Sequence, residues 1–433
     1  MRKCGSVSFR AFTLTDIHCF TCTDYLKSAL QSKDYSAPAE VDSMARIFTG
    51  IDIGTSHIKV MVATPTESPD GALRILGTGV SQARGMHHGY IINAPEVVQG
   101  IREAVDRASQ AAGIKITSAR ISVGGIGIEE LHSNGDVSLT ASGGEVTSKD
   151  ITRATSESEK KVSSKLVNKR VLHTIPLAYR IDNIPIQGRP SGVKGTRFSV
   201  DTLLVTVFDQ HVQDIITAVE AAHIEVEGEM ASPLAAGLAT LSKAQKMAGV
   251  VLGNIGAETV SIAVFENDTP ISIKVFPTGS SAITHDLALS FKIPLVEAEQ
   301  VKRGAVTNSD LPRKKVDDII AKKLHEIFSL IDAHLKTIGR QRLLPAGIVI
   351  TGGGSGLAGI TDAAKATLKL PAQVGTLAAI SARSTTTDAT WAVAYGLCKW
   401  GYITEERITS QGFSKIKDQA REYFGRIFRS LLP

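Results

Sequence analysis

Asp52 ends a β-rich run and is followed by Ile53, Gly54, Thr55 and Ser56. A carboxylate at a strand end can hold Mg²⁺, usually through water. Glycine lets the backbone approach a phosphate, and successive N–H groups with hydroxyls can cradle it. Two further turns have a related texture: Asn254-Ile255-Gly256-Ala257-Glu258-Thr259, and Gly352-Gly353-Gly354 after Ile350-Thr351. Many hairpins read Asp-x-Gly-Thr and many glycine turns bind nothing. Three such turns, each after an apolar strand and in this order, are far more specific than any one.

The elements that must carry these turns are legible as alternating strands and helices. Ile47–Ile53 and His57–Ala63 read as strands around Gly54-Thr55-Ser56. Ala94–Ala112 has helical spacing with Gly113 as its stop. Ala119–Ile128 reads as a strand, Val146–Val167 as a polar helix, Asp201–Phe208 as a strand and Asp209–Ala222 as a helix. The second half repeats the opening about 200 residues on, with strands Gly249–Leu252, Val260–Phe265 and Ile271–Phe276. Helices Ser281–Phe291 and Val316–Ile338 follow, then a strand Gly347–Thr351. The pattern predicts an α/β fold with a duplicated core.

At 433 residues the chain is roughly three times the ~150-residue domain prior, so several subdomains are expected. With 43% hydrophobic and 21% charged residues it has globular composition, which excludes wholesale disorder. No stretch reaches the roughly 18 unbroken apolar residues of a spanning helix. A net charge of +5 is small for this length and gives no support to nucleic-acid binding. Three of the four cysteines, Cys4, Cys19 and Cys22, lie in the first 22 residues, too few for a disulfide framework. Cys19 and Cys22, beside His18, have the gap of a zinc pair but lack a second pair, so residues 1–44 read as a poorly structured extension.

Taken together, these motifs resemble the actin–Hsp70–sugar-kinase superfamily and, over roughly residues 46–433, its FtsA family of bacterial cell-division proteins. Gly50–Ser56 is similar to the family's first phosphate loop, and the run from Gly85 to Gly113 to its inserted-subdomain pattern. Leu172–Pro176 and Pro233–Ala236 also fit. The resemblance implies ATP and Mg²⁺ as cofactors, with Asp52 toward the metal. Nucleotide contacts would come from Asp52, Gly54, Thr55, Ser56, Gly256, Ala257 and Thr259, from Glu299 and Lys302 on an adenosine-facing helix, and from Gly352, Gly353 and Gly354. The second phosphate loop departs from the family's Asp-Ile-Gly-Gly-Gly-Thr-Thr-Asp: Asn254 replaces the first Asp, Ser261 the last, and Glu258 a glycine. An amide cannot supply the charge that orders the attacking water, so at most a weak ATPase is expected.

The implied layout is an actin-like two-domain fold. Subdomain 1A takes 45–83 and 166–247, an inserted subdomain 1C takes 84–165, 2A takes 248–282 and 345–385, and 2B takes 283–344. The chain returns to 1A at 386–401, and a linker at 402–414 leads to a membrane-targeting helix at 415–433. That last segment is legible without any family. Over the 18 residues of Lys415–Leu432, about 27 Å of helix, Ile416, Ala420, Tyr423, Phe424, Ile427, Phe428 and Leu431 share one face of about 140°. Arg421, Arg426 and Arg429 take the other side, and five basic against two acidic residues leave a local +3. Such a helix suits an anionic membrane surface.

The resemblance further implies peripheral attachment to the cytoplasmic side of the cell membrane at the division septum. Its implied partners are the tubulin-like FtsZ, other divisome proteins and further copies of the chain in actin-like polymers. Lys323 and Glu326 fall on the helix where the family docks the FtsZ tail, although such pairs are ordinarily helix decoration. The competing readings are a related assembly protein such as the type IV pilus component PilM, and a superfamily kinase or chaperone ATPase.

Overall fold

The computed structural model describes residues 46–66, 72–139, 144–305, 311–377, 380–381 and 388–410. The chain divides into residues 1–45 and 46–433, and the described residues all belong to the second unit. The Cys19/Cys22 pair and the expected helix 415–433 lie outside the described residues.

β1 (Phe48–Ile53), β2 (His57–Pro65) and β3 (Leu73–Gln82) form an antiparallel meander. A short hairpin follows, β4 (Met86–His87) and β5 (Tyr90–Ile91), and then helix α1 (Ala94–Ala112). Val97, Ile101, Ala104, Val105 and Ala108 bury one helical stripe of α1, which ends at Gly113 in the left-handed conformation (φ 69°), as its sequence predicts. α1 lies flush on β3, because a Cβ at Gly79 would fall 1.9 Å from the Ala104 carbonyl oxygen. β6 (Ser118–Val123) then pairs parallel to β1. It is shorter than expected from Ala119–Ile128, since Gly124 and the positive-φ Gly125 turn the chain away.

A four-stranded antiparallel sheet is inserted next. It comprises β7 (Glu129–Ser138), β8 (Lys169–Ile181), β9 (Ile184–Ile186) and β10 (Arg197–Phe208), in the order β7-β10-β8-β9. It is covered by α2 (Ser148–Lys161), whose capping box of Thr147 and Asp150 sets its start inside the expected Val146–Val167. Residues 84–165 were expected as the insert; the sheet topology moves it later. α1 packs on the first sheet rather than on the insert, and β8 and β10 belong to the insert's own sheet. α3 (Asp209–Ala221) and β11 (Glu225–Ala231) return to the first sheet, where β11 pairs parallel to β6.

His173 on β8 is buried and accepts the Ala231 N–H at 3.1 Å through Nε2, tying the insert to the end of β11. Burial pushes its pKa down to about 3. The unfolded chain therefore takes up a proton near pH ~6.5 that the folded chain refuses. This contribution to stability is complete above that pH and is lost as pH falls toward 3. Acidifying from roughly pH 7 to 5 should remove about 2 kcal/mol through this residue. Urea midpoints of wild type and His173→Gln at the two pH values check this; equal slopes for both proteins would refute it.

α4 (Ser232–Thr240) and the short α5 (Lys243–Ala248) lead to the second core. There β12 (Val250–Ile255), β13 (Val260–Glu266) and β14 (Thr269–Phe276) repeat the antiparallel meander. Helices α6 (Ser280–Phe291), α7 (Leu295–Lys302) and α8 (Arg313–Thr337) follow. β15 (Ile348–Thr351) pairs parallel to β12, and after α9 (Ile360–Leu368), β16 (Ala372–Val374) pairs parallel to β15. The order β14-β13-β12-β15-β16 matches β3-β2-β1-β6-β11, so the expected duplication is a duplication of topology. In the first sheet, β17 (Ile380–Ser381) adds to the outside of β3.

The insert also touches the second half. Glu130 on β7 accepts the Ile273 N–H at 2.7 Å and the Ser272 hydroxyl at 3.1 Å, and Ser272 Oγ lies 2.8 Å from His334 Nε2 on α8. Finally, α10 (Ala392–Ser410) buries Tyr395, Leu397, Cys398 and Trp400 and packs on β1 and α4. Gly396 permits that contact: a Cβ there would lie 1.8 Å from the Ala235 carbonyl oxygen. A linker was expected from residue 402, but the helix continues to Ser410. Tyr402 pairs with Glu406 one turn on, and its ring meets Phe48 edge-on at 6.1 Å, so helical contacts persist past the last fully buried turn. No helix among the described residues is long and apolar enough to cross a membrane.

Candidate functional site: a cleft between two matched turns

The two meanders present equivalent turns to a shared cleft of about 840 Å³. In the first, Gly54 N–H donates to the His57 carbonyl at 3.2 Å; in the second, Gly256 N–H donates to the Thr259 carbonyl at 2.9 Å. The registers correspond as well. Asp52 stands opposite Lys59 on the β1–β2 ladder, and Asn254 opposite Ser261 on the β12–β13 ladder.

Asp52, Gly54, Thr55 and Ser56 line one wall, and Gly256, Ala257 and Thr259 the facing one. Gly352 and Gly353 contribute the third turn, where Gly352 adopts φ 85°. A Cβ on Gly352 would meet the Asn254 carboxamide oxygen at 2.4 Å, so only glycine brings this turn against β12. Gly354 is placed differently from its expectation. It is buried against Ile255 and does not line the cleft.

The Asp52 carboxylate accepts the Ser122 hydroxyl at 2.9 Å, and Ser122 Oγ in turn accepts the Ile53 N–H at 3.3 Å. Burial pushes the Asp52 pKa up, countered by Lys59 and then by Ser122. Burial likewise pushes the Lys59 ammonium down, countered by Asp52 and Asp388. Lys59 Nζ donates to the Thr390 carbonyl and lies 5.7 Å from the centre of the Trp391 ring. Sequence reading missed Lys59, Ser122 and the 389–393 segment of the wall. For Lys59 a signal existed: it sits in an apolar strand directly across the ladder from Asp52.

Glu299 and Lys302 both line the cleft, and they also bind one another. Glu299 accepts from Thr284 at 2.6 Å, from Lys302 at 2.6 Å and from Arg303 at 2.8 Å. Lys302 also donates to the Ser280 carbonyl at 3.1 Å, which ties α7 to the first turn of α6. Burial works to raise the Glu299 pKa, yet these donors together hold it below its ordinary value. Burial lowers the Lys302 pKa, and Glu299 partly restores it.

Glu258 does not face the cleft. Its carboxylate accepts the His88 N–H at 2.6 Å and sits 3.4 Å from His87 Nδ1. Lys323 and Glu326 lie on α8, away from the cleft. Lys323 is ion-paired to Asp286 at 3.0 Å and to Glu326 at 2.6 Å.

Five strands in matching order in each sheet, with matched glycine turns across a cleft and a carboxylate beside a lysine in one wall, define an actin-like fold. A model of the cell division protein FtsA matches residues 251–396, and a model of the SHS2 domain inserted in FtsA matches 125–206, the span of the observed insert. Cell division protein FtsA of Pseudomonas aeruginosa is 30% identical over 351 residues, 76% of this chain and 83% of that protein. That of Bacillus subtilis is 29% identical over 344 residues, 75% and 77% of the two chains. Among solved structures, a PilM–PilN type IV pilus biogenesis complex contains a chain that matches with TM-score 0.63 at 18% identity, covering 82% of this chain and 98% of that one. The chain belongs to the FtsA family of cell-division proteins.

Proposed function

We propose that this protein binds ATP with Mg²⁺ in the cleft and couples FtsZ to the cytoplasmic face of the cell membrane at the septum. In that role it assembles with other divisome proteins and with copies of itself. The observation that carries the nucleotide reading is the pair of matched turns facing one cleft, one of them with Asp52 and Lys59 at its base. Cationic Lys59 and Arg303 in the lining suit a polyphosphate.

Asp52 fits a Mg²⁺ role because that ion is commonly held by one or two carboxylates together with substrate phosphates. Among the described residues there is no cluster of three acidic, histidine or cysteine groups that would hold a metal by itself. Asp52 would therefore supply the protein's carboxylate and the nucleotide the remaining charge. When bound, the ion would neutralise charge on the transferring phosphate. Asp52 is held in place by Ser122, and the Gly54 and Gly256 turns leave backbone close to the cleft.

Mg-ATP at a hundredfold excess over Kd should stabilise the folded chain by about 2.7 kcal/mol. A melting temperature unmoved by millimolar Mg-ATP, with no heat in calorimetry, would remove the cleft reading. For the partner, the full chain should co-sediment with FtsZ polymers. The Lys323 ammonium is committed to two carboxylates, so as an FtsZ contact it would first have to exchange one of them. Glu326, about half exposed, is the freer of the two. The PilM likeness shares the fold alone, and the basic amphipathic tail favours the membrane-tethering reading over it.

A further inference from the structure

We infer that Glu258 and the hairpin Met86–Ile91 form a clasp that holds the two walls of the cleft together without nucleotide. Its consequence for binding rests on the nucleotide reading above. The clasp centres on one residue. His88 donates its N–H to Glu258 Oε2 at 2.6 Å in the second half, and its carbonyl accepts the Ile126 N–H at 3.3 Å in the first. A single pair of peptide groups therefore reaches both walls. The Glu258 carbonyl lies 3.2 Å from His88 Nδ1, and its carboxylate 3.4 Å from His87 Nδ1.

The hairpin is shaped for this contact. His88 adopts φ 48° and Gly89 φ 89°, consecutive left-handed residues that turn the His88 N–H outward toward Glu258. Gly89 also lies flush on the loop after β6: a Cβ there would fall 2.3 Å from the Gly125 Cα. On the other side the phosphate turn is fixed to α6, with Ser280 N–H donating to Gly256 at 2.9 Å and Ser281 N–H to Ala257 at 2.8 Å. Ser56, which occupies the place of Glu258 in the first turn, makes no such bridge among the described residues: its hydroxyl meets the neighbouring His57 at 2.9 Å and its carbonyl accepts the Ala83 N–H at 2.9 Å, both within the first half.

A ligand that bridges two phosphate turns ordinarily supplies the force that closes them. Here a carboxylate on the tip of one turn does so in advance, which raises the fraction of chains ready to bind. Glu258 is thus a positioning residue, and its negative charge is spent on the hairpin instead of repelling phosphate.

Amide hydrogen exchange on the full chain, with and without Mg-ADP, tests this. In nucleotide-free wild type, the amides of 86–91 and 256–259 should exchange slowly. Glu258→Ala should speed them about tenfold or more and weaken Mg-ADP binding about tenfold. Glu258→Gln, which keeps an acceptor oxygen, should fall between, with a melting temperature close to wild type. Unchanged exchange in both variants overturns the clasp. Tighter Mg-ADP binding by Glu258→Ala overturns it too, because it would mark Glu258 as a repelling charge. Absence of Mg-ADP binding by wild type would count against the nucleotide reading, and the nucleotide-free exchange would still decide the clasp.

Discussion

Truncation after Ser414 is expected to release the protein from anionic liposomes by at least a hundredfold in partitioning, with Mg-ATP binding intact. Six large apolar side chains, Ile416, Tyr423, Phe424, Ile427, Phe428 and Leu431, share one face of the segment. Partly buried in lipid, each contributes on the order of 1–2 kcal/mol. The basic excess adds on the order of 1 kcal/mol per effective charge at an anionic surface, a part that salt weakens. The cost of ordering a short helix opposes these gains. The balance is favourable but reversible, so Phe424→Glu with Ile427→Glu should match the truncation. Flotation with anionic vesicles measures it. A truncated chain that floats as well as the full one would show that the anchor lies elsewhere.

Asn254→Asp is expected to raise ATP turnover on the order of a hundredfold, the usual scale for restoring a group that activates or orients the nucleophile. Asn254 is the penultimate residue of β12, at the register that Asp52 occupies on β1, so a carboxylate there would face the cleft from the second wall. Glu258 does not already do that task, because it is engaged with His87 and His88. Phosphate release by contaminant-free protein checks the expectation, with Glu258→Gln as a control that should leave turnover low. Brisk wild-type hydrolysis, or an Asn254→Asp protein no faster than wild type, would sink it.

The glycine turns were legible because their determinants are local: a few consecutive residues fix both the backbone path and the groups it presents. The duplicated meanders were legible because their strands are short, apolar and separated by those turns. The insert was harder. β7 reads Glu-Glu-Leu-His-Ser-Asn-Gly-Asp-Val-Ser, and only its partners β10 and α2 make it a strand with a buried face. The same holds for α1, whose stripe predicts a helix but not the sheet that receives it. Lys59 was signalled by its place in an apolar strand across the ladder from Asp52, whereas Ser122 and the His87–His88 hairpin carry no spacing signal because they act between distant strands and between halves. The direction of the Glu258 side chain is set by a hairpin about 170 positions earlier in the chain, which its own turn does not encode.

The length of α10 has a mechanical consequence. With helix to Ser410, only residues 411–414 separate the rigid body from the first residue of the expected anchor. Five Cα steps of fully extended chain cover at most about 18 Å. If the segment from 415 anchors the protein as proposed, a leash that short would set a standoff height, holding the end that bears Ser410 close above the bilayer with little freedom to tumble. Copies held that way would search for each other in two dimensions instead of three. Inserting a flexible stretch of roughly twenty residues at 411–414 would lift that constraint, to about 25 Å of typical reach, and leave both the anchor and the cleft untouched.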